Sequence, residues 1–418
     1  MLQKTSLRLV ASWLPICLFF MYQFVLRVSP NVMTKEILLH FQITATDFGI
    51  LTSLYYLGYA VMQVPIGAFL DRYGPRYIAS SFVLLCALGA ILFAFATNWT
   101  IALIARFMIG VGSSGAYISS TKVIRSWGPK KHFSLLISIT ATIGLLTAHQ
   151  SGAITSYLMQ LVGWQDALLY LSIGGFALFF FLILLVQDNP PEEKQTASKL
   201  NLTYMKNLWK KLIEHKILWI GFWGCFLTGP LYVVGDVWGI SYMQAVFNWP
   251  KEQATQAATI VYFGMACGGP IVAALSEKIS HQRKHLIALL GLLMACILGF
   301  EMMYKPSYGC VLALNFILGV CSSYQMLVFS LVVLNIPQTA SGITFGIVNT
   351  INMLSGFVYL PLVGRLLDLF WDSKTENGIR VYSSFAYNAA LSSIVVGLLI
   401  GACGFFLLRL NSTNDRDI

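Results

Sequence analysis

Two oppositely charged residues lie inside long apolar segments, and they are the first candidates for chemistry. Arg27 sits in FFMYQFVLRVSPNV and Asp236 in YVVGDVWGISYMQ. A charged side chain inside a bilayer is costly, so it usually serves a substrate site, a proton relay or an ion pair. We therefore predict a substrate-binding or coupling role for Arg27 and a protonation site at Asp236. The alternative for each is a charge that reaches the nearest membrane interface.

A few other ionisable residues interrupt the apolar segments. Lys122, in ISSTKVIRSW, is either a partner for a substrate carboxylate or a lysine that extends to the interface. His149 is either a proton carrier or a hydrogen-bonded structural histidine, because its ordinary pKa lies near neutrality. Glu301 and Asp368 stand close to segment ends, which predicts interfacial positions for both.

Uncharged polar side chains form a larger set in the same segments. Such groups either bind a polar solute or hold helices together. Tyr59 and Gln63 share one helix face, since they are four residues apart. The candidates are Tyr22, Gln23, Tyr55, Tyr56, Tyr59 and Gln63 in the first half, and Tyr324, Gln325, Asn349 and Asn352 in the second.

The segments that must position these residues are membrane helices. Of 418 residues, 57% are apolar and 11% are charged, far fewer charges than a soluble domain carries. Apolar runs of about 20 residues recur along the chain, each long enough to cross a bilayer. The sequence therefore predicts an all-α membrane protein. The predicted spans are 9–37, 47–70, 76–97, 100–126, 133–160, 165–187, 217–246, 252–276, 285–304, 307–333, 341–367 and 381–408.

One polar stretch, residues 188–216, divides the twelve spans into six and six. It predicts a linker between two helical bundles, 1–187 and 217–418. Eighteen Lys and Arg residues fall on the side of the termini and this linker, and five on the opposite side. The excess predicts cytoplasmic termini. The net charge of +10 therefore reflects topology, and no nucleic-acid partner is expected. The eight cysteines lie inside apolar runs without metal-ligand spacing, so neither a metal nor a cofactor is expected.

The hinge GAFLDRYGPR, residues 67–76, has a degenerate copy 206 residues later. Its pattern G-x3-D-R-x-G aligns with A-x3-E-K-x-S at 273–280, where each charge keeps its sign. The offset is close to half the chain, as expected for two related bundles. Shifting Asp236 by the same offset gives position 30, near Arg27. We therefore expect Arg27 and Asp236 to face each other, either as an ion pair or as ligands for opposite ends of a zwitterion.

The hinge pattern G-x3-D-R-x-G-x-R resembles the signature of the major facilitator superfamily. The segment RFMIGVGSSG, from Arg106, is similar to a second family motif, and the twelve-span plan covers the whole chain. The resemblance implies a cavity lined by spans 1, 4, 7 and 10, which includes Arg27, and a proton-coupling role for Arg106. It also implies that the hinge aspartate docks at the start of span 11 in one conformation. The implied gating residues are Gly67, Asp71, Arg72, Gly74, Arg76, Glu277 and Lys278.

The resemblance implies a secondary transporter that works by alternating access, a monomer in the bacterial inner membrane. One cavity arginine and one aspartate favour proton-coupled transport of amino acids or short peptides. An organic anion or sugar acid is the alternative. Leu231 and Tyr232 stand where phosphate antiporters of the family have a second arginine, which disfavours a phosphate clamp. Span 5 lacks the proline of drug antiporters. A membrane enzyme, a channel and a transport-dead sensor are the remaining alternatives.

Overall fold

A computed structural model describes residues 2–188, 216–279, 282–334 and 341–409, and it is built almost entirely of helices. The predicted linker lies outside the described residues except at its two ends. In chain order the elements are α1 (Leu2–Val32), α2 (Thr34–Phe41), α3 (Ala45–Met62), α4 (Pro65–Ala94), α5 (Trp99–Ser113), α6 (Gly115–Trp127), a 3₁₀ turn (Lys130–His132), α7 (Phe133–Val162), α8 (Trp164–Leu185), α9 (Ile217–Phe226), a π-helix (Pro230–Trp238), α10 (Gly239–Phe247), α11 (Lys251–Lys278), α12 (Arg283–Tyr304), α13 (Tyr308–Ser322), α14 (Tyr324–Leu334), α15 (Ser341–Leu369), β1 (Thr375–Glu376), β2 (Ile379–Arg380) and α16 (Ser384–Leu407).

The helices are long and apolar enough for ten to twelve membrane crossings. Within the described part of the chain, ten segments pass this test unaided, and two bent helix pairs bring the total to twelve. The predicted all-α fold of two six-helix bundles is confirmed. We refer to α1–α8 as the N-terminal bundle and to α9–α16 as the C-terminal bundle.

Several predicted span boundaries were wrong because tertiary packing breaks the helices. The first span ends at Val32 rather than residue 37, and α2 is bent by 113° from α3. The second span breaks between Met62 and Pro65, where proline begins a new helix without an amide hydrogen. Apolar periodicity does not reveal these breaks, because the residues on both sides remain hydrophobic.

The hinge at residues 67–76 turns at a single residue. Helical geometry continues through α4 except at Gly74, whose φ of 81° and ψ of 163° are open to glycine. Pro75 follows and starts the next span with its fixed φ. The predicted turn is therefore present, although it takes one residue rather than a loop.

The two bundles repeat one close helix crossing. In the N-terminal bundle, a Cβ on Gly58 would strike the carbonyl of Phe107, which follows Arg106 on α5. In the C-terminal bundle, a Cβ on Gly264 would strike the carbonyl of Phe316. Both helix pairs therefore approach through their backbones at equivalent places. This geometry supports the internal repeat expected from the sequence.

The bundles meet along α3 and α15, which pack backbone against backbone. A Cβ on Gly49 would collide with the backbone of Leu360, and one on Gly364 would collide with the carbonyl of Ala45. Gly356 lies directly against the ring of Tyr56. We call this contact the glycine seam. The end of the molecule that carries residues 33–45 and 370–383 is called the clasp end below.

Candidate functional site

The charged pair predicted from the internal repeat joins the two bundles. Arg27 of α1 donates from Nε and Nη2 to Oδ2 of Asp236, at 2.9 and 2.6 Å. The side chains are 9% and 0% exposed. The predicted juxtaposition of Arg27 and Asp236 is therefore confirmed. A buried pair of this kind is strongly interdependent, because losing one partner leaves an uncompensated charge.

Two tyrosine hydroxyls complete the surroundings of Asp236. Tyr56 of α3 donates to Oδ2, and Tyr262 of α11 donates to Oδ1. Their sequence positions differ by 206, so they are equivalent residues of the two repeats. Sequence reasoning named Tyr56 as a polar candidate but missed Tyr262, which the repeat offset could have found. Asp236 consequently accepts hydrogen bonds from three different residues.

Aromatic rings enclose the guanidinium group of Arg27. The rings of Phe24, Tyr56 and Tyr232 have their centroids 5.5, 5.4 and 5.1 Å from it. Cation–π attraction at these distances favours the charged form of the arginine in a desolvated site. The sequence indicated Tyr232 only as the residue that replaces a second arginine.

Asp236 lies within the π-helix, and Asn31 fastens this segment to α1. The side-chain amide of Asn31 donates to the carbonyl of Gly235 at 3.0 Å and accepts from the amide of Ile240 at 3.2 Å. A π-helical turn leaves backbone groups without their normal partners and often marks a functional site. Sequence reasoning missed Asn31, although it shares a helix face with Arg27 at a spacing of four residues.

Arg106 contacts the backbone of α1 next to the charged pair. Its Nη1 donates to the carbonyl of Leu26 at 3.1 Å, and its guanidinium lies 5.4 Å from the ring centroid of Tyr55. Tyr55 in turn donates to Gln23 at 2.7 Å. All three side chains are buried. These contacts connect Arg106 to the residue that precedes Arg27, whereas its coupling role stays a prediction.

The other residues that were predicted to line the cavity have different surroundings. Asn349 donates to Gln63 across the bundles at 2.8 Å, while Gln325 lies beside the Tyr232 hydroxyl. Asn352 and Tyr59 are also buried. Tyr22 differs from its predicted placement, because its hydroxyl lies against Gly175 within the N-terminal bundle.

The hinge residues bond within the N-terminal bundle. Lys122 pairs with Asp71 at 3.2 Å, so it has a different partner from the predicted substrate carboxylate. Arg76 donates to the carbonyl of Ile183 at 2.6 Å. Side chains at the predicted docking point, the start of α15, lie outside the described residues. The remaining gating candidates, Gly67, Arg72, Glu277 and Lys278, lie at the exposed or partly exposed surface.

His149 joins the bundles at a second position. Its Nδ1 lies 3.3 Å from Oγ1 of Thr259 on α11, and its ring stacks on Phe263. A cavity of about 220 Å³ adjoins it, lined also by Gln150 and Gln256. The histidine is therefore part of a contact between α7 and α11, and its partner Thr259 lies three residues before Tyr262 on α11.

The clasp end holds a polar network that the sequence did not predict. Asp368, at the end of α15, accepts from the Thr46 amide at 2.8 Å and the Thr46 hydroxyl at 2.5 Å. It also accepts from Arg380 at 3.0 Å and from Tyr382 at 2.6 Å. The amide of Ala45 donates to the Tyr382 hydroxyl at 3.1 Å. We call these five residues the clasp.

The clasp uses the free amides at the start of a helix. The first turn of α3 offers unpaired N–H groups and a positive dipole end, which a carboxylate satisfies. Burial raises the pKa of Tyr382, and its bond to Asp368 acts in the same direction, so the hydroxyl remains a donor. Asp368 was predicted as merely interfacial, whereas it caps a helix of the opposite bundle.

Comparisons with known proteins agree with this architecture. The sequence model described as Major Facilitator Superfamily matches residues 16–360. A crystal structure of a bacterial homolog of the human lysosomal transporter Spinster, in an inward-facing and unoccupied conformation, superposes with a TM-score of 0.76. It is 18% identical and the match covers 96% of each chain. This structural likeness supports the fold.

Several curated transporters are similar in sequence. The uncharacterized transporter YybO of Bacillus subtilis is 27% identical, and the match covers 47% of this chain and 49% of that protein. The probable sulfoacetate transporter SauU of Cupriavidus necator is 22% identical over 84% of this chain and 86% of its own. The D-galactonate transporter of Escherichia coli O6:H1 is 22% identical over 91% of both chains.

Proposed function

The chain belongs to the Major Facilitator Superfamily and is an integral membrane transporter, and we propose that its substrate is a small organic anion such as a sugar acid or a sulfonate. The observation that carries the proposal is the pairing of Arg27 with Asp236. A guanidinium in an aromatic, desolvated setting is suited to bind a carboxylate or sulfonate through two hydrogen bonds. The names of SauU and the D-galactonate transporter support the same substrate class.

The geometry favours an anion over the zwitterion considered from the sequence. Asp236 already accepts from Arg27, Tyr56 and Tyr262. With both its oxygens occupied, it has little capacity left for the ammonium group of an amino acid. Arg27 instead becomes available whenever Asp236 loses its charge. The polar residues Gln63, Gln325, Asn349 and Asn352 then suit the hydroxyl groups of a sugar acid.

This arrangement gives a mechanism for proton coupling. Protonation of Asp236 removes the negative charge that holds Arg27, and the substrate anion takes its place on the guanidinium. Release of the proton and of the substrate restores the ion pair. Because only differential binding can shift a conformational equilibrium, proton and anion must both bind better when the pair is separated. The excess of Lys and Arg on the opposite side predicts that the clasp end faces outward. The family resemblance implies a monomer in a bacterial inner membrane.

The test is transport by the purified protein in liposomes. Uptake of labelled D-galactonate, D-glucarate, sulfoacetate, dialanine and glycine would be measured, each with and without a proton gradient, because one proton that moves with one monoanion transfers no net charge. We expect saturable uptake of one or more of the three anions and none of glycine or dialanine. Uptake confined to glycine or dialanine would contradict the anion proposal and favour the zwitterion interpretation.

Two variants separate binding from coupling. Arg27→Ala is expected to abolish transport, while Asp236→Asn should keep labelled-anion exchange but lose uphill uptake, since the amide imitates the protonated acid. Lys374→Ala is the matched control for loss of a cation, because the Lys374 side chain is 75% exposed and pairs only with Asp372 at the surface among the described residues. Full proton-driven accumulation by Asp236→Asn would contradict the coupling role of this residue.

A further inference from the structure

A second buried carboxylate lies in the C-terminal bundle near the clasp end and has no role assigned above. Glu301, one turn before the end of α12, is 1% exposed. In the described part of the chain, neither of its carboxylate oxygens has a hydrogen-bond partner. The sequence predicted a position near the interface but not the burial of this side chain. Asp236, by comparison, is fully bonded.

Two further oxygen-bearing side chains accompany Glu301. Tyr242 of α10 is 2% exposed, its hydroxyl also has no partner among the described residues, and Glu301 acts on it electrostatically. Asn388 of α16 donates its Nδ2 at 3.5 Å to the carbonyl of Met302, the residue that follows Glu301. The Oδ1 of Asn388 is buried and likewise unpartnered. We call Glu301, Tyr242 and Asn388 the Glu301 cluster.

The cluster combines one carboxyl group with further oxygen ligands and has no basic partner among the described residues. No Lys, Arg or His of the described residues forms an ion pair with Glu301, and its neighbours Tyr304 and Lys305 have exposed side chains. An unpaired carboxylate at this depth is costly, so a compensating ligand is expected. Carboxylate, amide and hydroxyl oxygens are ligands for hard cations.

We propose that the Glu301 cluster binds a monovalent metal cation, specifically Na⁺. A single positive charge neutralises the one carboxylate, whereas a divalent ion would leave net charge in an apolar bundle. The cluster offers four side-chain oxygens, two from Glu301 and one each from Tyr242 and Asn388. A proton bound in place of Na⁺ would provide only one hydrogen-bond donor for these four oxygens. The site is independent of the Arg27–Asp236 pair and joins α10, α12 and α16.

The test measures cation-dependent stability of the full-length protein in detergent. Thermal unfolding would be followed while NaCl replaces choline chloride or KCl at constant ionic strength and pH. We expect a saturable rise in Tm with Na⁺ that K⁺ and choline do not reproduce. Binding of radioactive Na⁺ to the same samples provides a second readout.

Variants assign the effect to the cluster. Glu301→Gln keeps the side-chain shape and is expected to abolish both the Tm shift and Na⁺ binding. Tyr242→Phe removes one oxygen and should weaken the apparent Na⁺ affinity on the order of tenfold. Glu252→Gln, an exposed glutamate at the same end of the molecule, is the matched control and should retain the full shift.

The test of the Na⁺ site can fail or succeed independently of the transport proposal. Arg27→Ala should bind Na⁺ normally even though it does not transport. No Na⁺-specific shift in the wild-type protein, or an equal shift in Glu301→Gln, would overturn the site. A Tm that depends on pH and not on Na⁺ would identify a proton as the ligand, and would equally overturn the proposal.

Discussion

Replacing Asp368 with asparagine is expected to make the clasp end open far more often. Two of the bonds to this carboxylate cross between the bundles, from the amide and hydroxyl of Thr46. The asparagine amide keeps one acceptor but turns a donor group toward its neighbours. It also removes the charge that faces Arg380 and the start of α3.

The size of the effect follows from these bonds. A hydrogen bond to a charged group contributes about 1.5–3 kcal/mol, and a charge at a helix start about 0.3–1 kcal/mol. Asparagine retains part of both contributions, so the expected loss is about 2 kcal/mol. Since 1.4 kcal/mol corresponds to a factor of ten, the ratio of open to closed molecules should rise about 30-fold.

Distances between spin labels at the clasp end measure this ratio. Thr97 and Ser307 are exposed on opposite bundles, and labels attached to cysteines at these positions would report separation. The native cysteines would first be replaced. We expect a single short distance in the parent and an added longer distance in Asp368→Asn.

The matched control is Asp372→Asn. Asp372 lies in the loop that follows α15 and pairs at 3.4 Å with Lys374, whose side chain is 75% exposed. A surface pair of this kind contributes little, so the label distances should not change. Unchanged distances in Asp368→Asn would refute the reasoning that the clasp holds this end of the molecule closed. An equal change in both variants would show that general charge, rather than the helix cap, sets the equilibrium.

Three further variants test other parts of the structure. Tyr262→Phe removes one donor from the Asp236 carboxylate and so favours the protonated acid. The apparent proton affinity of transport should rise about fivefold, equivalent to about 1 kcal/mol, measured from the pH dependence of the initial uptake rate. Asn31→Leu removes the side-chain partner of the Gly235 carbonyl in the π-helix and of the Ile240 amide in α10, and should lower stability by about 1–3 kcal/mol in thermal unfolding. An unchanged Tm would contradict its bridging role. Gly364→Ala should force the seam apart in the spin-label assay, whereas Gly174→Ala, which has open space around it, should not.

The sequence was sufficient for the charged pair but not for its surroundings. The 206-residue offset predicted that Arg27 would meet Asp236, because related bundles place equivalent positions face to face. The same offset applied to Tyr56 leads to Tyr262, yet a tyrosine in an apolar run looks like an ordinary core residue. Asn31 could not be assigned, since its partners are backbone groups of the π-helix and of the start of α10, which only tertiary structure brings next to α1.

Other residues were misplaced for identifiable physical reasons. Lys122 and Asp71 lie 51 positions apart, so local sequence gives no sign of their pairing. Glu301 was assigned to the interface because it stands near a span end. Burial there depends on Tyr242 and Asn388, which come from two other helices. The distance of a residue from a span end therefore predicts its depth in the membrane, but not whether its side chain is exposed or buried.

The glycine seam also bears on how fast the molecule changes shape. Where Gly49 and Gly364 touch the opposite bundle, no side chain must rotate before the surfaces separate. Little rotamer entropy is recovered on parting or lost on rejoining. The activation barrier should then reside in a few polar bonds at the clasp and at the Arg27–Asp236 pair. Turnover would be governed by breaking these bonds one after another, rather than by repacking of the whole interface.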